Sequence, residues 1–325
     1  MKAVVCKEHG LPDKLVFETQ WPNPDMGDDD VLIDVKAAGL NFPDVLIIQN
    51  KYQTKPDLPF IPGGECAGVV AAVGKNVTRL KAGDKVISMG AHGAFCSQIS
   101  ANHHSVFPMP EGLTFEQAAG IAITYFTSYY ALKQRANLQP GETLLVLGAA
   151  GGVGTTAVEL GKLMGARVIA AASTDDKLAL CKQLGADDLI NYSDVALKDA
   201  VKELTGGKGV DVVYDPVGGD YSEPALRSMA WKGRYLVIGF ASGPIPSVPL
   251  NLTLLKGCSI VGVFWGRFMG EEPAVNLQNI HELWALFAEG KLKPVVTDVF
   301  PLEEYEAAYA CMMERRARGK VILTL

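Results

Sequence analysis

The chain has 325 residues, of which 48% are hydrophobic and 20% charged, and its formal net charge is −6 at pH 7. Its length predicts about two domains. The net negative charge and the lack of a cluster of basic residues argue against a surface that binds nucleic acid. No apolar run reaches the roughly 18 residues of a membrane span, and the N-terminus lacks a signal-peptide core. These bounds predict a globular enzyme that binds neither nucleic acid nor membrane.

Six cysteines are scattered along the chain without a C-x-x-C pair. Scattered cysteines in a chain of this length favour free thiols over a disulfide framework. We therefore expect a cytoplasmic protein with reduced thiols.

Residues 1–122 predict a β-rich unit made of short strands. Turn segments separate the candidate strands, which are Val4–Val5, Leu15–Phe17, Val31–Val35, Gly68–Val73 and Lys85–Ser88. A helix is predicted to open at Thr114 and to continue mostly unbroken to Leu132. From Leu144, apolar strands alternate with helices as far as residue 265, which indicates a doubly wound parallel sheet.

The stretch LLVLGAAGGVG, residues 144–154, predicts a dinucleotide-binding turn. A buried strand ends in small residues spaced A-x-G-x-x-G, with Ala149 in place of the first glycine, and a helix follows. Small residues let the backbone approach a pyrophosphate, and helix N–H groups hold the anion. The next strand, RVIAAA at 167–172, completes a βαβ unit. The candidate cofactor residues here are Ala150, Gly151, Gly152, Val153 and Gly154.

The end of this second strand predicts the cofactor. An NAD enzyme carries Asp or Glu there to bond the ribose 2′-hydroxyl, whereas this chain has Ser173 and Thr174, with Lys177 shortly after. A hydroxyl and a cation suit a 2′-phosphate, which favours NADPH. The alternative is that Ser173 caps the next helix and Lys177 is a solvated charge, and Asp175 and Asp176 would weaken a phosphate site.

Residues 266–325 predict two amphipathic helices, Leu277–Phe287 and Glu303–Met313, and a closing strand, Lys320–Leu325. A last strand cannot stand alone, so we expect it to pair back onto the first unit. The predicted domains are therefore 1–122 with 266–325, and 123–265, with a cleft between them for the ligands.

These features resemble the zinc-free medium-chain dehydrogenases/reductases of the NADPH:quinone oxidoreductase, or zeta-crystallin, type. The similarity runs the full length, and one departure is Glu159, on the helix away from the phosphates, where the family has Gln. The segments that carry the similarity are AAGLNFPDVLIIQNKY (37–52), PGGECAGVVAAVG (62–74), GDKV (83–86) and GETLLVLGAAGGVGTTAVELGK (141–162). The resemblance implies a GroES-like catalytic domain, a Rossmann NADPH-binding domain, and a homodimer.

Zinc ligands of related dehydrogenases are missing from this chain. The zinc enzymes place Cys in the segment held here by Asn41 and His at Gly64, and the structural zinc lobe is absent too. His103 and His104 are expected to diverge on a strand as a surface pair. A metal-free site lacks a Lewis acid for alkoxide formation, so reduction of an electron-poor acceptor is the expected chemistry.

The resemblance also implies the residues of the site. Tyr52 is the proton-donor candidate, with a packing residue as the alternative. Glu65 is either a buried structural carboxylate near Asn41 or an acid, and we favour the structural role. For Phe264 and Trp265, a role as core or dimer-interface aromatics is as good an interpretation as a role at the nicotinamide. The residues implied at the nicotinamide are Asn41, Asp44, Thr127, the Ile238–Ala241 turn with Gly239 and Phe240, and Phe264 with Trp265; those implied near the phosphate are Tyr192 and Arg315.

The sequence therefore predicts an NADPH-dependent oxidoreductase that passes a hydride to a quinone without zinc. One alternative is an enoyl or alkenal reductase that acts on C=C bonds of unsaturated carbonyls or acyl thioesters. A second is an NADPH-binding protein without turnover.

Overall fold

The computed structural model describes all 325 residues. The strands, in chain order, are β1 (Ala3–Cys6), β2 (Leu15–Glu18), β3 (Asp30–Leu40), β4 (Glu65–Val73), β5 (Lys85–Met89), β6 (Gln98–Asn102), β7 (Val106–Pro108), β8 (Thr143–Leu147), β9 (Arg167–Ala172), β10 (Asp188–Asn191), β11 (Val210–Asp215), β12 (Met229–Val237), β13 (Ser259–Gly262), β14 (Val296–Pro301) and β15 (Lys320–Thr324). The helices are α1 (Phe42–Ile47), α2 (Phe115–Ala118), α3 (Ala122–Tyr130), α4 (Gly152–Leu163), α5 (Asp175–Gln183), α6 (Leu197–Leu204), α7 (Ser222–Arg227), α8 (Asn251–Lys256), α9 (Trp265–Glu271), α10 (Pro273–Ala288) and α11 (Tyr305–Met313).

The chain divides into two units. The first unit comprises 1–123 and 286–325, and the second unit comprises 124–285. The predicted boundary at 265/266 differs from the observed one, because 266–285 packs within the second unit. There the ring of Phe126 lies 5.6 Å from that of Trp284, and Tyr130 stacks on Phe268 at 4.0 Å.

A seven-stranded sheet forms the frame of the first unit. Its strand order is β14-β15-β3-β4-β5-β7, and β6 also pairs with β3. β15 runs antiparallel to β3, with Val321 opposite Leu40. The prediction that the last strand pairs back onto the first unit is therefore confirmed.

β3 changes character along its length. Up to Lys36 its buried residues alternate with more exposed ones, as expected for a sheet with one buried face, while Ala37–Leu40 is buried throughout. The fully buried end of the strand delivers Asn41 to the interior of the first unit, where Asn41 is 6% exposed.

The second unit contains a parallel sheet with strand order β10-β9-β8-β11-β12-β13. All five residues of β8 are buried, as expected for a central strand covered on both faces. The chain leaves β8 towards β9 and β10 on one side and returns to β11 on the other. In such sheets ligands bind beyond the carboxyl ends of the strands, at this reversal of order.

Two local predictions differ from the structure. The helix expected from Thr114 to Leu132 is interrupted between Ala118 and Ala122, where Gly120 packs so closely on Lys320 that an added Cβ would lie 2.9 Å from Cγ. His103 and His104 do not diverge on a strand: they lie in a 3₁₀ turn, and their ring centroids are 4.0 Å apart because the turn places both side chains on one side.

The six cysteines, Cys6, Cys66, Cys96, Cys181, Cys258 and Cys311, are all free and buried. The prediction of free thiols is confirmed. None of the helices combines the length and the apolar composition that a membrane crossing requires.

Candidate active site

Asn41 and Asp44 close the turn between β3 and α1. Asn41 is in an extended conformation, and its N–H donates to Asp44 Oδ2 at 2.8 Å. Pro43 lies in the first turn of the helix, where its missing N–H costs nothing. The segment is thus the start of a short helix, which holds the Asp44 carboxyl against the Asn41 backbone.

The side chain of Asn41 is held inside the first unit by three neighbours. Its Oδ1 accepts from Lys320 Nζ at 2.7 Å, while its Nδ2 donates to Glu65 Oε1 at 2.9 Å and to the Gly39 carbonyl at 3.3 Å. We call Asn41, Asp44, Glu65 and Lys320 the Asn41 cluster.

Glu65 and Lys320 form a buried ion pair within the Asn41 cluster. Nζ lies 2.8 Å from Oε1, and the two side chains are 0% and 6% exposed. Glu65 Oε2 accepts from the Ile123 N–H at 3.0 Å, and Lys320 also donates to the Leu40 carbonyl at 3.1 Å. The interpretation of Glu65 as a buried carboxylate beside Asn41 is confirmed.

Asp44 and Tyr52 both have a raised pKa. Burial raises the pKa of Asp44 to about 7, and Glu65 adds to the rise, while the Asn41 N–H and Lys320 oppose it. Burial, and then the Asp44 carboxyl, raise the pKa of Tyr52, which packs at the edge of the first unit's core. Both groups therefore favour their protonated forms.

Lys320 is the member of the cluster that the sequence analysis missed. It was read only as the first residue of an apolar strand. Its position at the start of an apolar strand could have revealed it, because a lysine in a buried strand is rarely buried unless it has a charged partner. Two glycines make room for the pair: a Cβ at Gly39 would lie 2.8 Å from Glu65 Oε1, and one at Gly120 would collide with the Lys320 stem.

The dinucleotide turn of the second unit fits a pyrophosphate. α4 begins at Gly152, and Gly151 before it offers no side-chain cap, so the first N–H groups of the helix remain available to an anion. A Cβ at Gly154 would lie 2.2 Å from the Gly148 carbonyl oxygen. Gly148, which has φ +55° and lies against Val217, was missed because the spacing begins at Ala149.

A second loop at the same sheet edge is organised by Asp215, at the end of β11. This buried carboxylate accepts from the Val217 and Gly218 N–H groups at 2.8 and 2.9 Å. A Cβ on Gly218 would lie 2.8 Å from the Phe240 ring, and the Gly239 N–H donates to the Asp215 carbonyl at 3.3 Å. Gly239 and Phe240 thus lie beside the β11 loop, while Asp215 itself was not foreseen.

β9 is followed directly by two hydroxyl residues, Ser173 and Thr174, and Lys177 lies just beyond Asp175 and Asp176. Lys177 Nζ lies 3.4 Å from Ser173 Oγ. Thr174, and not Ser173, caps α5, since its side chain accepts from the Lys177 N–H. Asp175 is drawn to Asn191, whose Nδ2 donates to it at 3.0 Å. The alternative in which Ser173 serves as the cap is not observed.

The other predicted cofactor residues lie in surroundings that differ from one residue to the next. Tyr192 follows β10, and its ring lies 4.4 Å from that of Tyr221. Thr127 is partly exposed on α3, and Phe264 is 49% exposed. Arg315 is an exposed residue of the first unit, in the turn after α11.

Trp265 lies in the core of the second unit. It is 8% exposed, and its indole N–H donates to Asn276 Oδ1 at 3.1 Å. Its ring also packs 5.7 Å from Phe126. This environment agrees with the core alternative for Trp265, and its role at the cofactor stays a prediction.

Glu159, the departure noted in the sequence, is buried on α4 and accepts from the Tyr125 hydroxyl at 2.7 Å. The contact is made within the second unit, in the interior of the helix and away from its first turn.

No group of three or more His, Cys, Asp or Glu side chains is arranged to hold a metal ion. At Gly64, where zinc relatives carry a ligand, an added Cβ would already lie 3.0 Å from Ile123 Cδ1. The residues present therefore do not fit a zinc site.

Comparisons with known proteins agree with this architecture. Residues 27–142 match the family described as alcohol dehydrogenase GroES-like domain, and residues 152–282 match the family described as zinc-binding dehydrogenase. A quinone oxidoreductase-like protein 2 homolog from Nematostella vectensis is 40% identical over 325 residues, which are 99% of this chain and 88% of the relative. The chain belongs to the quinone oxidoreductase family of medium-chain dehydrogenases/reductases.

Solved structures of related enzymes share the fold over the whole chain. Escherichia coli quinone oxidoreductase complexed with NADPH has a TM-score of 0.93 and 31% identity, covering 100% of both chains. The CurK enoyl reductase has a TM-score of 0.88 and 29% identity, covering 99% of this chain and 98% of that one. A GroES-like domain with an NAD(P)-binding domain is thus the fold of this family member.

Proposed function

We propose that the protein is an NADPH-dependent oxidoreductase that reduces quinones without a metal ion. The observation behind this proposal is the end of β9, where Ser173 and Lys177 lie together and the two residues directly after the strand, Ser173 and Thr174, carry hydroxyls instead of a carboxylate. In a member of the quinone oxidoreductase family this arrangement favours a cofactor with a 2′-phosphate. The E. coli relative complexed with NADPH lends support.

The second unit is proposed to hold the cofactor. The N–H groups of Gly152, Val153 and Gly154 would bind the pyrophosphate, while Ala150 and Gly151 shape the turn before them, since the Gly151 N–H donates to the Gly148 carbonyl at 2.9 Å. Ser173 and Lys177, with Tyr192, would bind the 2′-phosphate. When bound, NADPH supplies the hydride. The residues proposed for the nicotinamide end are Thr127, Gly239, Phe240, Phe264 and Trp265, and Arg315 of the first unit is proposed as a further phosphate contact.

The first unit is proposed to serve the acceptor through Tyr52, Asn41 and Asp44. Tyr52 has a raised pKa, so its phenol keeps its proton and can donate a hydrogen bond to the oxygen on which negative charge develops. Without a Lewis acid, the preferred acceptor is one that is already electron-poor, such as a quinone.

A second candidate function is reduction of a C=C bond in an enone or an enoyl thioester. The likeness to the CurK enoyl reductase favours it, because the same chain architecture serves that neighbour. The two functions differ in the acceptor and share the NADPH site and the Tyr52 hydrogen bond.

An acceptor panel tests this choice. We expect kcat/KM to be higher for ortho- or para-quinones than for alkenals and enoyl thioesters, with NADPH as donor. A higher kcat/KM for an enoyl thioester than for every quinone would favour the second candidate. A Tyr52→Phe variant that keeps its turnover with every acceptor would remove Tyr52 from the proposed site.

We also propose a homodimer formed through the β13 edge of the second unit's sheet. β13 has no partner on its outer side, and Ile260 on it is 39% exposed. Leu254 and Leu255 on α8 are 80% and 68% exposed, as is Trp231 at 68%. An unpaired strand edge beside exposed apolar side chains is a surface that monomers avoid.

The six free cysteines support the proposal that the protein is located in a reducing compartment, the cytoplasm. The net charge of −6 supports small-molecule ligands over nucleic acid.

A further inference from the structure

We propose that Lys320 is a positioning residue that fixes the Asn41 side chain as a hydrogen-bond acceptor and so sets the geometry of the acceptor-side residues. The inference deepens the proposed function and rests on it, since Asn41 is among the residues proposed to meet the cofactor or the acceptor.

The chemistry of its neighbours determines the orientation of the Asn41 amide. A lysine ammonium only donates hydrogen bonds, and an ionised carboxylate only accepts them. Lys320 lies 2.7 Å from one end of the amide and Glu65 lies 2.9 Å from the other. The end facing Lys320 must therefore be the oxygen, and the end facing Glu65 must be the NH₂ group.

This orientation limits what Asn41 can offer a ligand. Both of its amide hydrogens are taken, one by Glu65 and one by the Gly39 carbonyl. A ligand that hydrogen-bonds the Asn41 side chain must therefore donate to Oδ1, as a hydroxyl or an amide N–H does. Asn41 then cannot stabilise a developing oxyanion, and Tyr52 is left as the donor for that purpose.

Lys320 acts only through its neighbours. Its three ammonium hydrogens match three acceptors at 2.7–3.1 Å, namely Asn41 Oδ1, Glu65 Oε1 and the Leu40 carbonyl. It has no donor left for substrate or cofactor. Apolar residues often replace a buried ion pair without loss of stability, so stability alone does not explain this pair, and its contacts with Asn41 point to the geometry that it imposes there.

A double-mutant cycle tests the proposal. Lys320→Met alone leaves Glu65 buried without a counter-charge and endangers folding, so the working variant is Lys320→Met/Glu65→Gln, which removes both charges. We expect it to fold, to bind NADPH with a Kd within about twofold of wild type, and to lose about tenfold or more in kcat, since small misplacements of a positioned group have effects of that size.

The cycle is completed by Asn41→Ala in both backgrounds. If Lys320 acts through Asn41, the substitution lowers kcat strongly in the wild type and by less than about twofold in the neutral-pair variant. Equal losses in the two backgrounds, or wild-type kcat in the neutral-pair variant, would overturn the proposal. Lys36→Met, at an exposed lysine of β3, is the matched control and should keep wild-type kcat.

A second readout does not depend on turnover. In protein labelled with ¹⁵N-asparagine, the side-chain amide signal that Asn41→Ala removes should exchange slowly with solvent in wild type and in Lys36→Met. It should shift and exchange faster in the neutral-pair variant, and an unchanged signal there would contradict the positioning role. If none of the acceptors in the panel supports NADPH oxidation by the wild type, the proposed function fails. The amide signal of Asn41 still decides the role of Lys320 in that case.

Discussion

Asp44 and Glu65 are two buried carboxyls, and one ammonium, that of Lys320, acts on both of them. Lys320 pairs directly with Glu65 at 2.8 Å, so burial prevails at Asp44 and raises its pKa from 3.8 to about 7. The folded state therefore holds a proton that the unfolded chain releases at lower pH. This group's contribution to stability is full below about pH 4 and is lost as the pH rises through about 7.

An Asp44→Asn variant removes this titration and keeps an oxygen for the Asn41 N–H. We expect the free energy of unfolding of the wild type, relative to the variant, to fall by up to about 1.4 kcal/mol per pH unit between about pH 5 and pH 7. Urea unfolding of both proteins across this range measures the difference. A difference that stays constant with pH would contradict a protonated Asp44.

Lys177 is expected to discriminate between the two nicotinamide cofactors. A charge-assisted hydrogen bond to a 2′-phosphate predicts that Lys177→Met raises the Kd of NADPH about tenfold or more. The Kd of NADH should change little, because NADH lacks the phosphate. Lys198→Met, an exposed lysine on α6, is the control. Equal weakening of both cofactors, measured by titration calorimetry, would remove Lys177 from the phosphate site.

Single residues could be predicted where their role depends on nearby sequence. Asn41 and Glu65 stand in short segments that the family shares, so the sequence was sufficient to single them out. Lys320 could not be found in this way, because its partners at 41 and 65 lie far away along the chain and meet it only when β15 pairs with β3. Asp215 was missed for a different reason: its partners Val217 and Gly218 are near in sequence, but their N–H groups face the carboxylate only once the loop has folded.

At the scale of elements, the turn between β8 and α4 depends on Gly154. A Cβ there would lie 2.2 Å from the Gly148 carbonyl oxygen, which is backbone and cannot turn aside. Gly154→Ala should lower the affinity for NADPH about tenfold or more and cost roughly 2 kcal/mol of stability.

Gly270→Ala is the matched control for this prediction. Gly270 lies on α9 with no atom within 4 Å of an added Cβ, so alanine should stabilise the protein by up to about 1 kcal/mol through its helix propensity. Thermal unfolding and NADPH titration measure both variants. Wild-type NADPH affinity in Gly154→Ala would show that close packing of this turn is not required.

The elements of the second unit followed from the sequence more closely than those of the first. Apolar strands alternating with helices lead to a parallel sheet, and the observed strand order is the one a dinucleotide-binding unit adopts. The helix α1 was not foreseen, because six residues that include a proline carry too little periodicity. The unit boundary after Ala285 depends on aromatic contacts such as that of Phe126 with Trp284, which no local pattern reveals.

At the scale of the whole molecule, the exposed β13 edge predicts a dimer of about twice the 34.7 kDa chain mass. An Ile260→Asp/Leu254→Asp variant should sediment as a monomer, because charges on the strand edge and on the apolar patch oppose its burial. Val299→Asp, at an exposed residue of β14 in the first unit, should remain a dimer. A wild type that sediments as a monomer at micromolar concentration would contradict the β13 interface.

On this protein a hydride is proposed to leave NADPH and reach a quinone. The direct measurement is anaerobic reduction of a quinone with NADPH deuterated at C4 on one face or the other, followed by analysis of the NADP⁺ formed. A positioned cofactor predicts that one labelled form loses its deuterium and the other retains it. NADPH that binds but is not oxidised by any quinone, or that loses deuterium equally from both faces, would contradict hydride transfer from a positioned NADPH to a quinone.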